Sequence, residues 1–422
     1  MNAVFLALVV LAFATAAGQE WAGSAASMAA LSTGMLTSAK GAIDLALGLA
    51  GIMALFLGLM KVAEAAGLLR VLARLLRPLM TRLFPEVPPD HPAMGAMILN
   101  LSSNLLGLGN AATPFGIRAM QALDRLNPYR GVASDPMVLF LGLNTAGIAL
   151  LPSSIMALRS AAGSANPAAI LPTTLFATLC ATLVAIIAAK TLGRFYPVRA
   201  GDAPSTASIP TTVERTDDEP QDAGSYPLWV SLLALFTLLA LPPLWIWQGK
   251  AVSAWILPGL MLSILLLGAL RQVRIYESFV EGAAEGFQVA VRIIPYLVAI
   301  LVAVGMLRAS GALDWLVTIL GSWIGPLGLP AEVLPLALLR PFSGSGAYGL
   351  LAAILNNPAT GPDTYAGLLA STLQGSTETT FYVLAVYFGA VEIRTLRHAI
   401  FTGLLADLAA LIGAVVACQW LV

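Results

Sequence analysis

An all-α, polytopic membrane protein built from two inverted repeats is the fold class this sequence predicts, and three observations carry it. With 58% hydrophobic and 10% charged residues over 422 positions, the chain is too apolar for a soluble globular domain, in which about a quarter of residues are charged. Apolar spans recur at the length a bilayer helix needs. Within them, polar stretches broken by Gly and Pro occur twice in the same order: Asn100 to Gly116 then Leu143 to Ser154, and Arg340 to Gly349 then Ser371 to Thr380. Irregular backbone survives at membrane depth only when buried in protein or lining a cavity, so duplicated breaks of this kind mark a secondary transporter.

In chain order, apolar spans are expected at 2–18, 41–60, 136–159, 167–190, 227–247, 254–270, 287–307, 363–389 and 396–420. Residues 1–18 carry a small-residue pattern at Ala14-Thr15-Ala16 but no basic residue ahead of the apolar run, which favours a retained helix over a cleaved signal. Segment 61–84 mixes Lys61, Arg70, Arg74, Arg77 and Arg82 with leucines and reads as an amphipathic helix on an anionic surface or as a plain cytoplasmic helix. Stretches 93–124 and 333–357 each have two short apolar arms around a Gly/Pro centre. An arm of about 15 residues rises only ~22 Å against a ~30 Å core, so re-entrant hairpins are expected. Residues 191–226 turn to Pro, Ser, Thr, Asp and Glu and read as a solvated linker.

The halves match element for element. Asn127-Pro128 answers Asn357-Pro358, Asp135 answers Asp363, and Gly147 answers Gly375 at a nearly constant offset, which indicates a duplication. Placing Lys61 and its neighbouring arginines in the cytoplasm puts most of the 22 basic residues there and leaves Lys40, Arg159, Lys250 and Arg308 outside. Span 227–247 then crosses once between halves, so the second repeat is inverted: the first hairpin opens to the cytoplasm and the second to the outside.

The polar residues define a candidate site. Asn100, Ser103, Asn104 and Gly107 share one face of a hairpin arm, with Asn110 and Thr113 at its tip and Asn144 and Thr145 at the first break. In the second half Ser343 and Ser345 mark the hairpin tip. Ser371, Gln374 and Glu378 stack on one helix face, with Ser376 and Thr377 beside an expected break at Gly375. The breaks and tips should converge near mid-membrane. Glu378 reads as a proton carrier or cation ligand, or as the permanent partner of Arg340 or a helix cap. Arg340 binds an anionic group or closes an internal salt bridge. Asp407 joins the ion coupling or hydrogen-bonds a neighbouring helix.

Enzymatic chemistry is not expected. Ser343-Gly344-Ser345-Gly346 lacks the Lys and Ser/Thr that complete a phosphate loop, and His91 and His398 have no metal-ligand spacing. No cofactor is indicated. Cys180 and Cys418 both fall in apolar spans, as buried thiols do, and no basic stripe with interleaved aromatics suggests a nucleic acid.

The run His91 to Met120 (HPAMGAMILNLSSNLLGLGNAATPFGIRAM) resembles the spore maturation protein A family. Val291 to Asp314, Leu334 to Gly346 and Leu368 to Val391 (LLASTLQGSTETTFYVLAVYFGAV) resemble the spore maturation protein B family. The chain thus looks like a fusion: a first repeat over 1–196, a linker with a connecting helix over 197–250, and a second repeat over 251–422. Both families belong to the nucleoside-recognition or Gate-domain group, connected by resemblance to concentrative nucleoside transporters and to the membrane part of the ferrous-iron transporter FeoB. The resemblance implies a transporter-like fold in the inner (plasma) membrane. It does not imply nucleoside as substrate, because nucleoside-binding residues cannot be matched position by position. The expected partners are the bilayer, a small polar solute and a proton or sodium ion, with a homo-oligomer left open. The competing reading is a non-transporting scaffold or an envelope or spore maturation factor.

Overall fold

The computed structural model describes residues 2–23, 27–107, 109–197, 226–234, 237, 250–312, 315 and 328–421, and these are helical with no strand among them. The first half runs α1 (Asn2–Trp21), α2 (Ser27–Ala65), α3 (Leu68–Leu83), α4 (Pro92–Leu105), α5 (Gly109–Leu126), α6 (Asp135–Ala146), α7 (Ser153–Ala161) and α8 (Ile170–Leu192). The second runs α9 (Lys250–Leu270), α10 (Ile275–Ala309), α11 (Leu334–Leu339), α12 (Gly344–Leu355), α13 (Tyr365–Ser376), α14 (Thr380–Gly389) and α15 (Ala399–Leu421). The order of long helix, hairpin, broken helix and long helix therefore occurs twice. The expected connecting helix 227–247 lies mostly outside the described residues; where it is described, Ser231 Oγ donates to Leu75 O at 2.7 Å, holding it to α3.

Two expectations need correction. Spans 41–60 and 287–307 belong to helices of 39 and 35 residues, α2 and α10, roughly 58 and 52 Å long at 1.5 Å per residue and well beyond bilayer thickness. The sequence offers no effective stop at the expected ends, and the two helices pack along each other, so each supports the other's extension. Backbone approach is close enough that a Cβ at Gly286 would sit 2.6 Å from Met53 O, the small-residue contact by which membrane helices associate. Lys61 reaches Glu281 at 3.3 Å and Glu285 at 3.4 Å across the same seam. Lys61 therefore belongs to α2, which runs on to Ala65, and the basic amphipathic helix begins only at Leu68, after Gly67 at φ 82 and a 69° bend. Ala73 and Met80 face inward from α3, and Arg70, Arg74 and Arg82 are exposed.

By length and composition, Pro167–Phe195 and Ala399–Trp420 are apolar enough to cross a membrane, with the bent pair Ala50–Ala65 and Leu68–Leu83 as a third candidate. Their outer faces carry large exposed apolar groups, among them Leu183, Ile187, Leu408, Ile412 and Trp420, and α1 and α9 do likewise with Phe13, Leu262 and Leu266. Such a contiguous apolar exterior belongs in lipid.

Elements exchange partners between the halves. Apart from its contact with α2, α1 packs on α10, and α9 packs on α2. The core around α4, α5 and α6 (Met97, Met120, Phe140) takes Leu384 and Phe388 from α14. The core around α11, α12 and α13 (Leu336, Leu351, Leu369) takes Ile155, Met156 and Leu158 from α7. The two broken helices run antiparallel, tied at both ends by ion pairs. Arg159, at the end of α7 and 1% exposed, meets Asp363 at 3.1 Å and donates to Pro362 O at 2.6 Å and Ser371 Oγ at 3.3 Å. Arg397, just before α15, meets Asp135 at 2.5 Å at the start of α6 and donates to Ala133 O at 3.1 Å.

Removing the half-exposed Asp363 leaves the buried Arg159 guanidinium without its counter-charge. Asp363→Ala should cost on the order of 2–3 kcal/mol, read as a lower melting temperature in detergent. A side chain at the α2–α10 seam has nowhere to go, so Gly286→Val should cost about 1–3 kcal/mol by the same assay. Melting curves matching the parent would show that these contacts do not hold the helices together.

Candidate functional site

Both broken helices open where they cross. The chain leaves α6 at Gly147, whose φ of 54 puts it in the left-handed region, and re-enters helix at Ser153. It leaves α13 at the extended Thr377 (φ −139, ψ 163) and re-enters at Thr380. The break expected at Gly375 therefore falls at Thr377 to Thr379. Gly375 is still helical, and its missing Cβ serves packing, since one there would touch Ile155 and Thr174 at 3.0 Å. The freed backbone is bonded across elements: Glu378 N donates to Thr145 O at 2.8 Å, Leu150 N to Leu105 O at 2.9 Å, and Phe381 N to Pro341 O at 3.0 Å. A Cβ on Gly147 would lie 2.9 Å from Glu378 N and 3.1 Å from its Cγ, so only glycine lets the breaks touch.

Around this crossing lies a cavity of about 230 Å³, bounded by the end of α4 (Asn104, Gly107), the first break (Gly147 to Ile155), the second hairpin (Arg340, Gly344) and the second break (Gln374 to Glu378). Of the residues singled out by sequence, Asn104, Gln374, Thr377, Glu378 and Arg340 line it. Gln374 donates through Nε2 to Gly344 O at 3.3 Å and leaves Oε1 unpartnered. Arg340, 7% exposed, donates from Nη1 to Thr379 Oγ1 at 2.9 Å and from Nη2 to Thr377 O, leaving Nε unpartnered.

Glu378 is not on the α13 face with Ser371 and Gln374. That helix stops at Ser376, because the chain turns extended at Thr377, and the exposed Glu378 sits in the break. No ion pair joins it to Arg340 among the described residues, so a permanent Arg340–Glu378 salt bridge is not what the structure contains. Asp407 does hydrogen-bond a neighbouring helix: its Oδ2 accepts from Thr380 Oγ1 at 2.5 Å.

The remaining candidates sit behind or beside the cavity. Asn104 Nδ2 donates to Asn144 Oδ1 at 3.1 Å, and Asn144 Nδ2 donates to Phe140 O at 2.9 Å. Asn100 Nδ2 bridges Ala112 O at 2.8 Å and Tyr387 OH at 3.2 Å, while the Tyr387 hydroxyl donates to Asn144 Oδ1 at 3.3 Å. Asn100 and Asn144 thus lock the first hairpin to α6 and α14. Ser103 and Thr145 are buried with unpartnered hydroxyls, and Thr113 is half-buried on α5. Asn110 lies where side chains are outside the described residues. Ser343 caps α12, accepting from Gly346 N at 3.0 Å. Ser371 joins the Arg159 network and donates to Gly367 O at 2.7 Å, and Ser376 donates to Leu373 O at 3.2 Å. Ser345 is exposed on the first turn of α12 and does not line the cavity.

Sequence reasoning missed Tyr387 and counted Arg159 only among the basic residues on the outer side. A lone tyrosine in an apolar span carries no pattern of its own. Arg159, however, ends a broken helix as Arg397 follows one, and each pairs with the aspartate that begins the other.

Comparison with known proteins finds relatives of each half of the chain. Spore maturation protein B of Bacillus subtilis (strain 168) is 47% identical over 165 residues, covering 39% of this chain and 92% of that protein. Spore maturation protein A of the same organism is 47% identical over 149 residues, covering 35% of this chain and 76% of that protein. Inner membrane protein YjiG of Escherichia coli (strain K12) is 33% identical over 109 residues, covering 25% of this chain and 71% of that protein. One polypeptide therefore carries sequence like two separate Bacillus proteins. No solved structure matches the chain. The profile of the Gate family, described as nucleoside recognition, matches residues 46–195 and 290–394, which take in both hairpins and both broken helices. On that match the chain belongs to the Gate family.

Proposed function

We propose that this protein is a secondary transporter of the inner (plasma) membrane that moves a small polar solute by alternating access, with Glu378 coupling the cycle to a proton or sodium ion. The observation that carries the reading is the cavity at the crossing of two antiparallel broken helices, where helix ends, an arginine and a carboxylate face one space. α4–α5 and α11–α12 act as re-entrant hairpins, and the halves as inverted repeats of the kind found in concentrative nucleoside transporters. Two lines support the inversion. Basic-residue bias puts Asp135 and Arg397 on the cytoplasmic side and Arg159 and Asp363 outside, and those are the residues that pair. Equivalent halves also exchange partners throughout. The relatives' names, spore maturation proteins A and B, favour a second reading in which the chain is a maturation factor without transport.

Topology is tested by cysteines at equivalent exposed positions ahead of each broken helix, Arg130→Cys and Ala359→Cys, in a background lacking Cys180 and Cys418. An impermeant reagent should reach them from opposite sides; labelling from one side contradicts inversion. In proteoliposomes the parent should accumulate a solute from a metabolite panel under a proton or sodium gradient, and a maturation factor would move none. Because Glu378 is exposed and unpaired, Glu378→Gln should stay within about 0.5 kcal/mol of parent stability. The same variant should lose the ion dependence of uptake. Full ion dependence in the folded variant removes the coupling role.

A further inference from the structure

We propose that the cavity at the crossing takes a small zwitterion of the amino-acid class, with its carboxylate on Arg340 and the start of α12 and its ammonium on Glu378. The inference rests on the transporter reading and specifies its substrate. Arg340 is 7% exposed and spends two of its donors on Thr379 Oγ1 and Thr377 O, and it has no carboxylate partner among the described residues. Glu378 lines the same cavity, and its carboxylate makes no hydrogen bond or ion pair among the described residues. Glu378 and Asp407 act on the Arg340 charge through space without closing an ion pair among the described residues, so the cavity presents one cationic and one anionic group to a solute. A solute carrying both signs matches the buried Arg340 and the more open Glu378 at once, where a simple anion or cation matches one of them.

Helix ends divide the cavity in the same sense. The N-terminal turns of α7 at Ser153 and Ser154 and of α12 at Gly344 offer partial positive charge. The C-terminal ends of α4 at Asn104, α6 at Gly147 and α13 at Gln374 offer partial negative charge. Gln374 adds a buried carbonyl oxygen with no partner, 8% exposed and belonging to a lining residue, which is an acceptor waiting for an ammonium or amide donor. Size and lining disfavour a nucleoside. The volume, about 230 Å³, lies below the ~300 Å³ at which pockets for drug-sized ligands begin. No aromatic side chain stands among the described lining residues to stack on a base.

The test uses the full chain in detergent and in proteoliposomes. Melting temperature is read with the common α-amino acids, β-alanine and glycine betaine one at a time, then with the carboxamide and N-acetyl forms of any that stabilise, and with uridine and adenosine. At least one zwitterion should raise the melting temperature saturably, and blocking either end should weaken binding at least about tenfold. Glu378→Gln should weaken the zwitterion by a similar factor while leaving the weak binding of its N-acetyl form unchanged, and Arg340→Lys should do the converse with the carboxamide. If Arg340→Lys does not fold, the blocked ligands on the parent protein decide alone. Equal binding of blocked and unblocked forms, or stabilisation by a nucleoside and by no zwitterion, overturns the inference. Uptake of such another solute would leave the transporter reading standing. Binding of a zwitterion without uptake would sustain the inference and overturn transport, and neither binding nor uptake of any solute overturns both.

Discussion

The constraint on which the rest of the structure depends is that a helix opened inside an apolar environment must find partners for its freed peptide groups. Neither broken helix can supply them from its own segment. Thr145 O, left over at the end of α6, is taken by Glu378 N from the other break, while Leu150 N and Phe381 N go to Leu105 O and Pro341 O near the two hairpins. The bond from Glu378 N to Thr145 O joins the two breaks directly, and it brings two halves of the chain to one point. The glycine at 147 follows from the same requirement, because any side chain there would occupy the space through which Glu378 N reaches its acceptor.

Once the breaks cross, the ends of the helices are determined. An antiparallel pair brings the start of each broken helix beside the end of the other, and the sequence places aspartate at the starts and arginine at the ends. The same geometry explains why the hydrophobic cores are mixed: α14 must lie against the first hairpin and α7 against the second. Each core thus draws residues from both halves, although the chain joins sequence like two separate proteins.

Much of the helical order was legible in the sequence, because a membrane helix announces itself by apolar length and a break by Gly, Pro and hydroxyl residues inside that length. Helix ends beyond the apolar spans were not legible. α2 and α10 continue through Lys40 and Glu281 because each lies against the other, and pairing across 224 residues leaves no local pattern. The break in the second half was expected at Gly375 on the ground that glycine is permissive, yet it falls at Thr377 to Thr379, where Arg340 can hold Thr377 O. Polar residues located the cavity but not their own roles. Asn100 and Asn144 differ from Asn104 only in what surrounds them, and that surrounding depends on Tyr387, a residue more than two hundred positions away.

The cavity is also uneven in how its polar groups are satisfied. On the side of the first hairpin, Asn100, Asn144 and Tyr387 form a chain of mutual hydrogen bonds that ties α4, α5, α6 and α14 together, and the unpartnered Asn100 Oδ1 and Ser103 and Thr145 hydroxyls lie behind the cavity lining. On the side of the second hairpin, Arg340 Nε and Gln374 Oε1 have no partner, and Glu378 stands in the open. A hydrogen-bonded network stiffens its elements, whereas an unsatisfied buried group on a lining residue holds free energy that a new partner can release. The short α11, only six residues before the chain turns at Arg340, gives that second side little helix to resist displacement. The unsatisfied groups that border the cavity therefore belong to the second hairpin and the end of α13, while the first hairpin turns its bonded network toward α6 and α14.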